Sequence, residues 1–330
     1  MGAAAGLSGI SVAQFPGGHS NLTYLVRFGG REAVLRRAPR GASVKTAHDM
    51  RREFDVLSAL CPFYSKAPKP FAFCEDASVI GAPFYLMERV RGVILRDATP
   101  PVGVKLPPER MRLLSLALVD GLADLHELDV SSGPLAALGK PEGYAIRQVS
   151  GWTDRWRRAK TEEVPELEAA AAWLAANVPP AGRPALLHND YKYDNLVLDT
   201  ADPTRVVAVL DWEMATLGDP LLDLGTTLGY WIDSGDPEDM RALPFGATLI
   251  PGNLSRTEVA ARWAERTGRG APALLFAYVF GLFKIAVIAQ QIYRRFALGH
   301  TRDPRFAALV YGVRLLGRQA AWALRRNGID

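Results

Sequence analysis

The hydrophobic period of this chain changes once, near residue 90, and that change limits what it can fold into. Before it, Leu22–Phe28 and Arg31–Arg37 are short runs of β-formers separated by Gly29-Gly30, a hairpin signal. Phe71–Cys74 and Pro83–Val90 read as two more strands. Between the two pairs, Val44–Leu60 carries Met50, Phe54, Val56, Leu57 and Leu60 at helical spacing among charges. After Gly92 the helical period takes over. Pro107–Leu128, Gly143–Lys160 and Pro165–Ala176 read as helices. Leu196–Leu198 and Val206–Leu210 are short β-like interruptions, and helices run from Leu221 to a last one over Arg305–Arg326. Strands first and helices later predict an α+β chain. Its smaller N-terminal lobe covers residues 1–90 and its larger C-terminal lobe residues 91–330, each long enough to bury a core.

Composition removes several classes of function. A net charge of +4, with 22% charged and 48% hydrophobic residues, lacks the clustered basic stripe of a nucleic-acid binder. Cys61 and Cys74 form neither a disulfide framework nor a zinc pattern, and a reducing cytoplasm is the expected location. Met1–Gly6 has no charged leader segment, and Gly6 stands where a myristoylation signal needs Ser or Thr. Ala273–Ile292 is as long as a membrane span, about 20 residues. Lys284 in its middle, with Gln290 and Gln291 near its end, makes a buried core helix the expectation, with no membrane partner. Oligomeric state is left open.

The chemistry concentrates in His188-Asn189-Asp190-Tyr191-Lys192-Tyr193-Asp194-Asn195, placed between apolar Leu186-Leu187 and Leu196-Val197-Leu198. The spacing H-x-D-x4-N is that of a kinase catalytic loop. Phosphoryl transfer to an alcohol needs a carboxylate that holds the attacking hydroxyl in line and takes its proton, a role suited to Asp190. It also needs an oxygen ligand for nucleotide-bound magnesium, a role suited to Asn195. Val209-Leu210-Asp211 then delivers a second carboxylate at the end of an apolar strand, where kinases hold the bridging metal. A metallohydrolase pair or a plain strand-end cap could show either motif alone; their order and spacing argue for both together.

The first lobe carries matching features. Phe15 through Asn21 lies just ahead of Leu22, and Gly17 and Gly18 there let backbone N–H groups approach phosphates. Glu53 lies on the expected helix, where a kinase places the acid that pairs with a strand cation. Arg36 sits at that cation's position, with Arg37 the alternative one register away. Alternation favours Arg36, which shares a face with Val34. Phe84–Val90 resembles the hinge strand that meets an adenine edge, with Met87, Glu88 and Val90 as candidate contacts.

On these stretches, together with Val34–Pro39, Ala47–Glu53, Asp211-Trp212-Glu213, Gly218-Asp219-Pro220 and Asp223-Leu224, the chain resembles the aminoglycoside phosphotransferase and choline kinase superfamily. It is most similar to the branch that includes the kinase domain fused to some acyl-CoA dehydrogenases. The resemblance runs from about Gly17 to the end of the chain. It implies a protein-kinase-like two-lobe fold with Asp190 as base, Asn195 and Asp211 on magnesium, and Ser20 and Asn21 on phosphate. It further implies Glu53 orienting the strand cation, and Asp223 and His188 bracing the catalytic loop. Lys192 could reach the transferred phosphate as a point charge. One departure is Arg36, where many kinases carry Lys; a guanidinium can hold phosphate oxygens bidentately.

The expected activity is ATP- and magnesium-dependent phosphorylation of a small-molecule hydroxyl, with GTP left open as the donor. A nucleotide-binding pseudokinase is the competing reading, and the intact Asp190, Asn195 and Asp211 argue against it. A protein kinase is disfavoured because no Ala-Pro-Glu segment follows Asp211. For the acceptor, Arg147, Trp152, Arg155 and Trp156 lie in a basic segment with its tryptophans at i,i+4. Arginines beside aromatic faces suit phosphate groups and a stacked base. An anionic alcohol such as a hydroxyacyl-CoA is therefore expected over a polycationic aminoglycoside or another amino-alcohol.

Overall fold

Alternating strands and one tight turn build the first sheet. The computed structural model describes residues 9–15, 21–38, 49–243, 245–301 and 303–330, so Gly17, Gly18, Ser20 and residues 44–48 lie outside the described residues. Strands β1 (Ser11–Gln14), β2 (Leu22–Phe28) and β3 (Arg31–Arg37) run antiparallel, and the β2–β3 register ends at Phe28 opposite Arg31. The two-residue turn left between them needs positive φ at both positions. Gly29 and Gly30 supply it, with φ of 55° and 75°. Strands β4 (Pro70–Cys74) and β5 (Phe84–Met87) complete the sheet in the order β1-β2-β3-β5-β4. The hinge strand is shorter than its apolar run, since Glu88–Val90 leave the ladder.

Helix α1 (Met50–Leu60) is capped by Asp49, whose carboxylate accepts the Arg52 N–H at 3.0 Å. It buries Val56, Leu57 and Leu60 toward the sheet. The second lobe follows: α2 (Pro108–His126), α3 (Gly133–Ala136), α4 (Tyr144–Ala159), α5 (Pro165–Ala176), β6 (Ala185–Leu187), β7 (Leu196–Leu198), β8 (Val206–Val209) and β9 (Thr216–Gly218). Then come α6 (Pro220–Gly229), α7 (Glu238–Arg241), α8 (Arg256–Thr267), α9 (Leu274–Ala297) and α10 (Leu309–Arg326). A 3-10 turn over Pro304–Ala308 separates the last two helices, so the expected single helix from Arg305 begins later, at Leu309. Strands β6 and β9 form one two-stranded ribbon, β7 and β8 another.

Helix α9 has the length and composition of a membrane span, but 72% of its most apolar window is buried in the fold. It packs on α6 and α10, with α4 and α5 alongside. The α6–α9 crossing is set by two glycines. A Cβ on Gly281 would fall 2.0 Å from the Gly225 carbonyl oxygen, and one on Gly225 would fall 2.0 Å from that of Ala277. Neither clash can be relieved by a side chain turning away, because the obstacle is backbone. Gly281→Ala should therefore destabilise the fold by about 2–3 kcal/mol, the upper part of the overpacking range, read as a lower denaturant midpoint at unchanged slope. A midpoint equal to that of the unsubstituted protein would mean the crossing is loose.

Candidate active site

The catalytic loop is held from below by one buried carboxylate. Strand β6 ends at Leu187, and the N–H groups of His188 and Asn189 both donate to Asp223, at 2.7 Å each, to its two separate oxygens. Asp223 stands in the first turn of α6 and is completely buried. Burial alone would raise its pKa, but the hydrogen bonds from His126 and from the His188 N–H hold it below the ordinary carboxylate range. His126 gives Asp223 its Nε2 proton at 3.1 Å, a tautomer fixed because Nδ1 accepts from Trp263 Nε1 at 2.9 Å. Asn189 then takes the left-handed conformation, φ 67°, which asparagine tolerates better than most side chains.

That turn brings Asp190 to the cleft. Its carboxylate is 19% exposed and accepts Lys192 Nζ at 2.8 and 2.9 Å and Asn195 Nδ2 at 2.9 Å. With its nitrogen so engaged, the Asn195 amide turns its oxygen away from Asp190. The β7–β8 ribbon pairs Leu196 with Val209, and the Leu210 N–H donates to the Asn195 carbonyl at 2.8 Å. Asp211 therefore emerges beside Asn195. His188 closes the same frame. Its Nε2 donates to the Leu210 carbonyl at 2.9 Å and its Nδ1 accepts the Asp190 N–H at 3.2 Å. Both ring nitrogens are committed, so the imidazole is neutral. Burial pushes its pKa below the ordinary 6.5 against the pull of Asp223 and Asp190.

The first lobe meets this frame through Arg36. Alternation along β3 sends Arg36 inward and Arg37 to the opposite face, where its NH1 donates to the Ile80 carbonyl at 2.7 Å. Arg36 NH1 pairs with Glu53 at 2.8 Å, and its NH2 pairs with Asp211 at 2.8 Å. The structure thus gives the cation position to Arg36. Burial raises Glu53 above the carboxylate range despite Arg36. For Asp211 the balance reverses: Arg36's charge and hydrogen bond outweigh burial and hold it low. Asn21 Nδ2 donates to Glu213 at 2.7 Å, and Arg52 donates to the Ala215 carbonyl at 2.6 Å, so three side chains of the first lobe reach the Asp211–Ala215 segment. At the hinge, Met87 is buried opposite Val34. The Glu88 N–H is already given to the Lys69 carbonyl at 2.8 Å. Glu88 can therefore offer a base edge only its carbonyl, and Val90 follows half-buried.

The expected acceptor residues do not stay together. Trp156 is fully buried and donates to Glu168 at 2.8 Å, so it belongs to the core and presents nothing to a ligand. Arg147 closes on the carbonyls of Lys140 and Glu142 at the start of its own helix. Spacing on a helix says which residues share a face, not which way that face points. Arg155 and Trp152 remain near the site: the guanidinium lies 4.6 Å from the Trp152 ring centroid, and Lys284 Nζ lies 5.9 Å from the same ring. Sequence reasoning missed three residues. Lys284 is buried and donates to the Asn189 carbonyl at 2.7 Å; burial lowers its ammonium to about 8. Tyr144 donates to Asn189 Oδ1 at 3.1 Å. Tyr230 lies under Lys192, 4.2 Å from Nζ to the ring centroid. A charge within an apolar helix was the available signal for Lys284; Tyr144 and Tyr230 had none.

With this geometry in place, comparison with known proteins is decisive. The profile of the phosphotransferase enzyme family (APH) matches residues 11–259. The chain belongs to that family. Acyl-CoA dehydrogenase family member 11 of Gallus gallus is 36% identical over 301 residues, covering 88% of this chain and 37% of that protein. The chain thus spans well under half the length of that relative. A solved Ralstonia eutropha protein carrying the aminoglycoside phosphotransferase name is 30% identical with a TM-score of 0.81, over 98% of this chain and 94% of its own. The aminoglycoside phosphotransferase APH(4)-Ia, solved with AMP-PNP and hygromycin B, shares the fold at TM-score 0.60 and 19% identity, over 94% and 95% of the chains. The phosphotransferase has the kinase-like two-lobe fold, and it is an enzyme acting on a small molecule.

Because His188 is neutral in the fold and its pKa is depressed, it adds stability that is present above about 6.5 and lost as pH falls toward the folded value. The unfolded chain takes up that proton first. His188→Gln removes this titration and keeps a donor for Leu210. The stability deficit of the variant should shrink as pH is lowered from 8 to about 5. Denaturant midpoints measured across that range check it, and a deficit independent of pH would mean His188 titrates alike in both states.

Proposed function

We propose that this phosphotransferase transfers the γ-phosphoryl group of ATP, as its magnesium complex, to the hydroxyl of an anionic small molecule, with Asp190 as the base. The observation that carries the reading is the convergence of Asp190, Lys192, Asn195 and Asp211 within one hydrogen-bonded frame. The donor set fits a hard cation. Asp211 offers a carboxylate 31% exposed, and Asn195 offers an amide oxygen. Among the described residues no group of three or more His, Cys, Asp or Glu is arranged to hold a metal ion by itself. That suits magnesium, which binds through one or two carboxylates with phosphate oxygens and water supplying the rest. Arg36 Nε is buried with no hydrogen-bond partner among the described residues, a donor of the kind phosphate oxygens require. The AMP-PNP complex of the fold neighbour supports ATP as donor. Magnesium, when bound, would neutralise charge on the phosphates.

The chain's own residues then act in order. Asp190 aligns the acceptor hydroxyl and takes its proton as the oxygen attacks phosphorus. Its carboxylate retains acceptor capacity beyond the bonds from Lys192 and Asn195. Burial works against the charge of Lys192, but Tyr230 and Asp190 outweigh it and keep the ammonium protonated. It can therefore face the negative charge of the transferred group. Asn195 holds Asp190 in register, and Arg36 keeps Asp211 ionised.

The acceptor reading rests on local charge. Lys192, Lys284 and Arg155 gather around Asp190 and the Trp152 ring. The neighbouring carboxylates Asp190 and Asp223 are already engaged by hydrogen bonds. A polycationic aminoglycoside would meet like charge, which costs several kcal/mol. A hydroxyacyl-CoA presents phosphates and a stackable base, and the dehydrogenase name of the relative supports that class. ADP release should be stimulated by hydroxyacyl-CoA thioesters and not by kanamycin-type compounds; the reverse pattern would overturn the acceptor assignment. Asp190→Asn should lower turnover by about 10² to 10⁴-fold while AMP-PNP affinity stays unchanged. Near-normal turnover would remove Asp190 from the role of base.

A further inference from the structure

We propose that Lys284 is a positioning residue for phosphoryl transfer: from beneath the catalytic loop it clamps the Asn189–Asp190 peptide and so sets the direction in which Asp190 points. The inference rests on the reading of Asp190 as base. The peptide between these residues is gripped at both ends. Its carbonyl accepts Lys284 Nζ at 2.7 Å, and its N–H donates to His188 Nδ1 at 3.2 Å. Fixing both ends of a planar unit fixes its rotation, and with it the Cα from which the Asp190 side chain departs. Lys284 also reaches Asn189 Oδ1 at 3.3 Å and Thr226 Oγ1 at 3.5 Å. Tyr144 and Lys284 thus share Asn189 Oδ1, while Asn189 Nδ2 donates to the Met214 carbonyl at 3.1 Å. The left-handed residue before the base is held on every polar atom.

The lysine is costly where it stands. Its side chain is 1% exposed on α9, and among the described residues no carboxylate lies in ion-pair contact with it. A buried ammonium satisfied by neutral oxygens alone is expensive. Packing does not require it, since an apolar side chain of similar volume would fill the same space without desolvating a charge. The α6–α9 glycine crossing lies one turn away, at Gly281, and brings the helix near enough for Nζ to reach the loop. What the ammonium supplies is a strong donor to one carbonyl, the one adjoining the base.

The test is Lys284→Met, of similar length without the charge, with Asp190→Asn measured beside it. ADP release from magnesium ATP is followed with 3-hydroxybutyryl-CoA and, in parallel, water as acceptor. Lys284→Met should lose about 10²-fold in rate, the cost of a displacement near 1 Å at a reacting group. AMP-PNP affinity should hold, and the melting temperature should stay or rise. Lys284→Gln, with a neutral donor on a shorter stem, should fall between the two and serves if the methionine variant does not fold. An unchanged rate in Lys284→Met, or a loss matched by equal losses of AMP-PNP affinity and melting temperature, would overturn the role. If Asp190→Asn is itself near normal, the base assignment fails. If Asp190→Asn is inactive and Lys284→Met is unimpaired, only the positioning role fails.

Discussion

The site depends on the Asp223 carboxylate. An ionised carboxylate without solvent is tenable only when hydrogen bonds replace the water it has lost. Asp223 receives them from two consecutive loop N–H groups and from His126. Its position in the first turn of α6 adds the positive end of the helix dipole. The exchange works in both directions. The loop N–H groups gain an acceptor that backbone alone does not offer at a left-handed turn, and the carboxylate gains a reason to remain charged. His126 and Trp263 extend the support into α2 and α8, so the loop that carries Asp190 rests on elements drawn from much of the second lobe.

Arg36 plays the corresponding part between the lobes. One buried guanidinium pairs with Glu53 of the first lobe and Asp211 of the second. The two acids differ in surroundings: Glu53 is 1% exposed and Asp211 31%. Glu53 is thus a fixed partner that orients the cation, while Asp211 faces the cleft, where a competing charge can reach it. Arg36 thus joins the two lobes through one buried charge, beside the hydrogen bonds that Asn21 and Arg52 give to Glu213 and Ala215.

The parts of this design legible in the sequence share one property: they are local. Asp190 and Asn195 lie on one short loop, so their spacing alone places them together. Arg36 was separated from Arg37 by strand alternation, and Asp211 was placed by the apolar strand before it. Where local periodicity ran out, so did the reading. Trp152 and Trp156 share a helix face as expected, but Trp156 turned out to pack against Glu168 in the core. The long apolar helix was expected to be buried, and it packs among α4, α5, α6 and α10. Its lysine, read by sequence, speaks only against a membrane span.

What the chain's sequence determined by itself was the order of strands and helices, the loop that carries Asp190 and Asn195 together, and the strand that delivers Asp211. Each of these is set by backbone period or by spacing along a few residues. Tertiary structure alone decided what holds them. Lys284 meets Asn189 across 95 residues, His126 meets Asp223 across 97, and Arg36 meets Asp211 across 175. Such pairings follow from how helices cross and lobes face each other, which depends on contacts such as Gly225 against Gly281 rather than on the identity of the charged residues. A buried charge in a sequence announces that a partner exists; only the packed fold names it, because the energy of desolvation constrains where the charge can end but not which neighbour receives it.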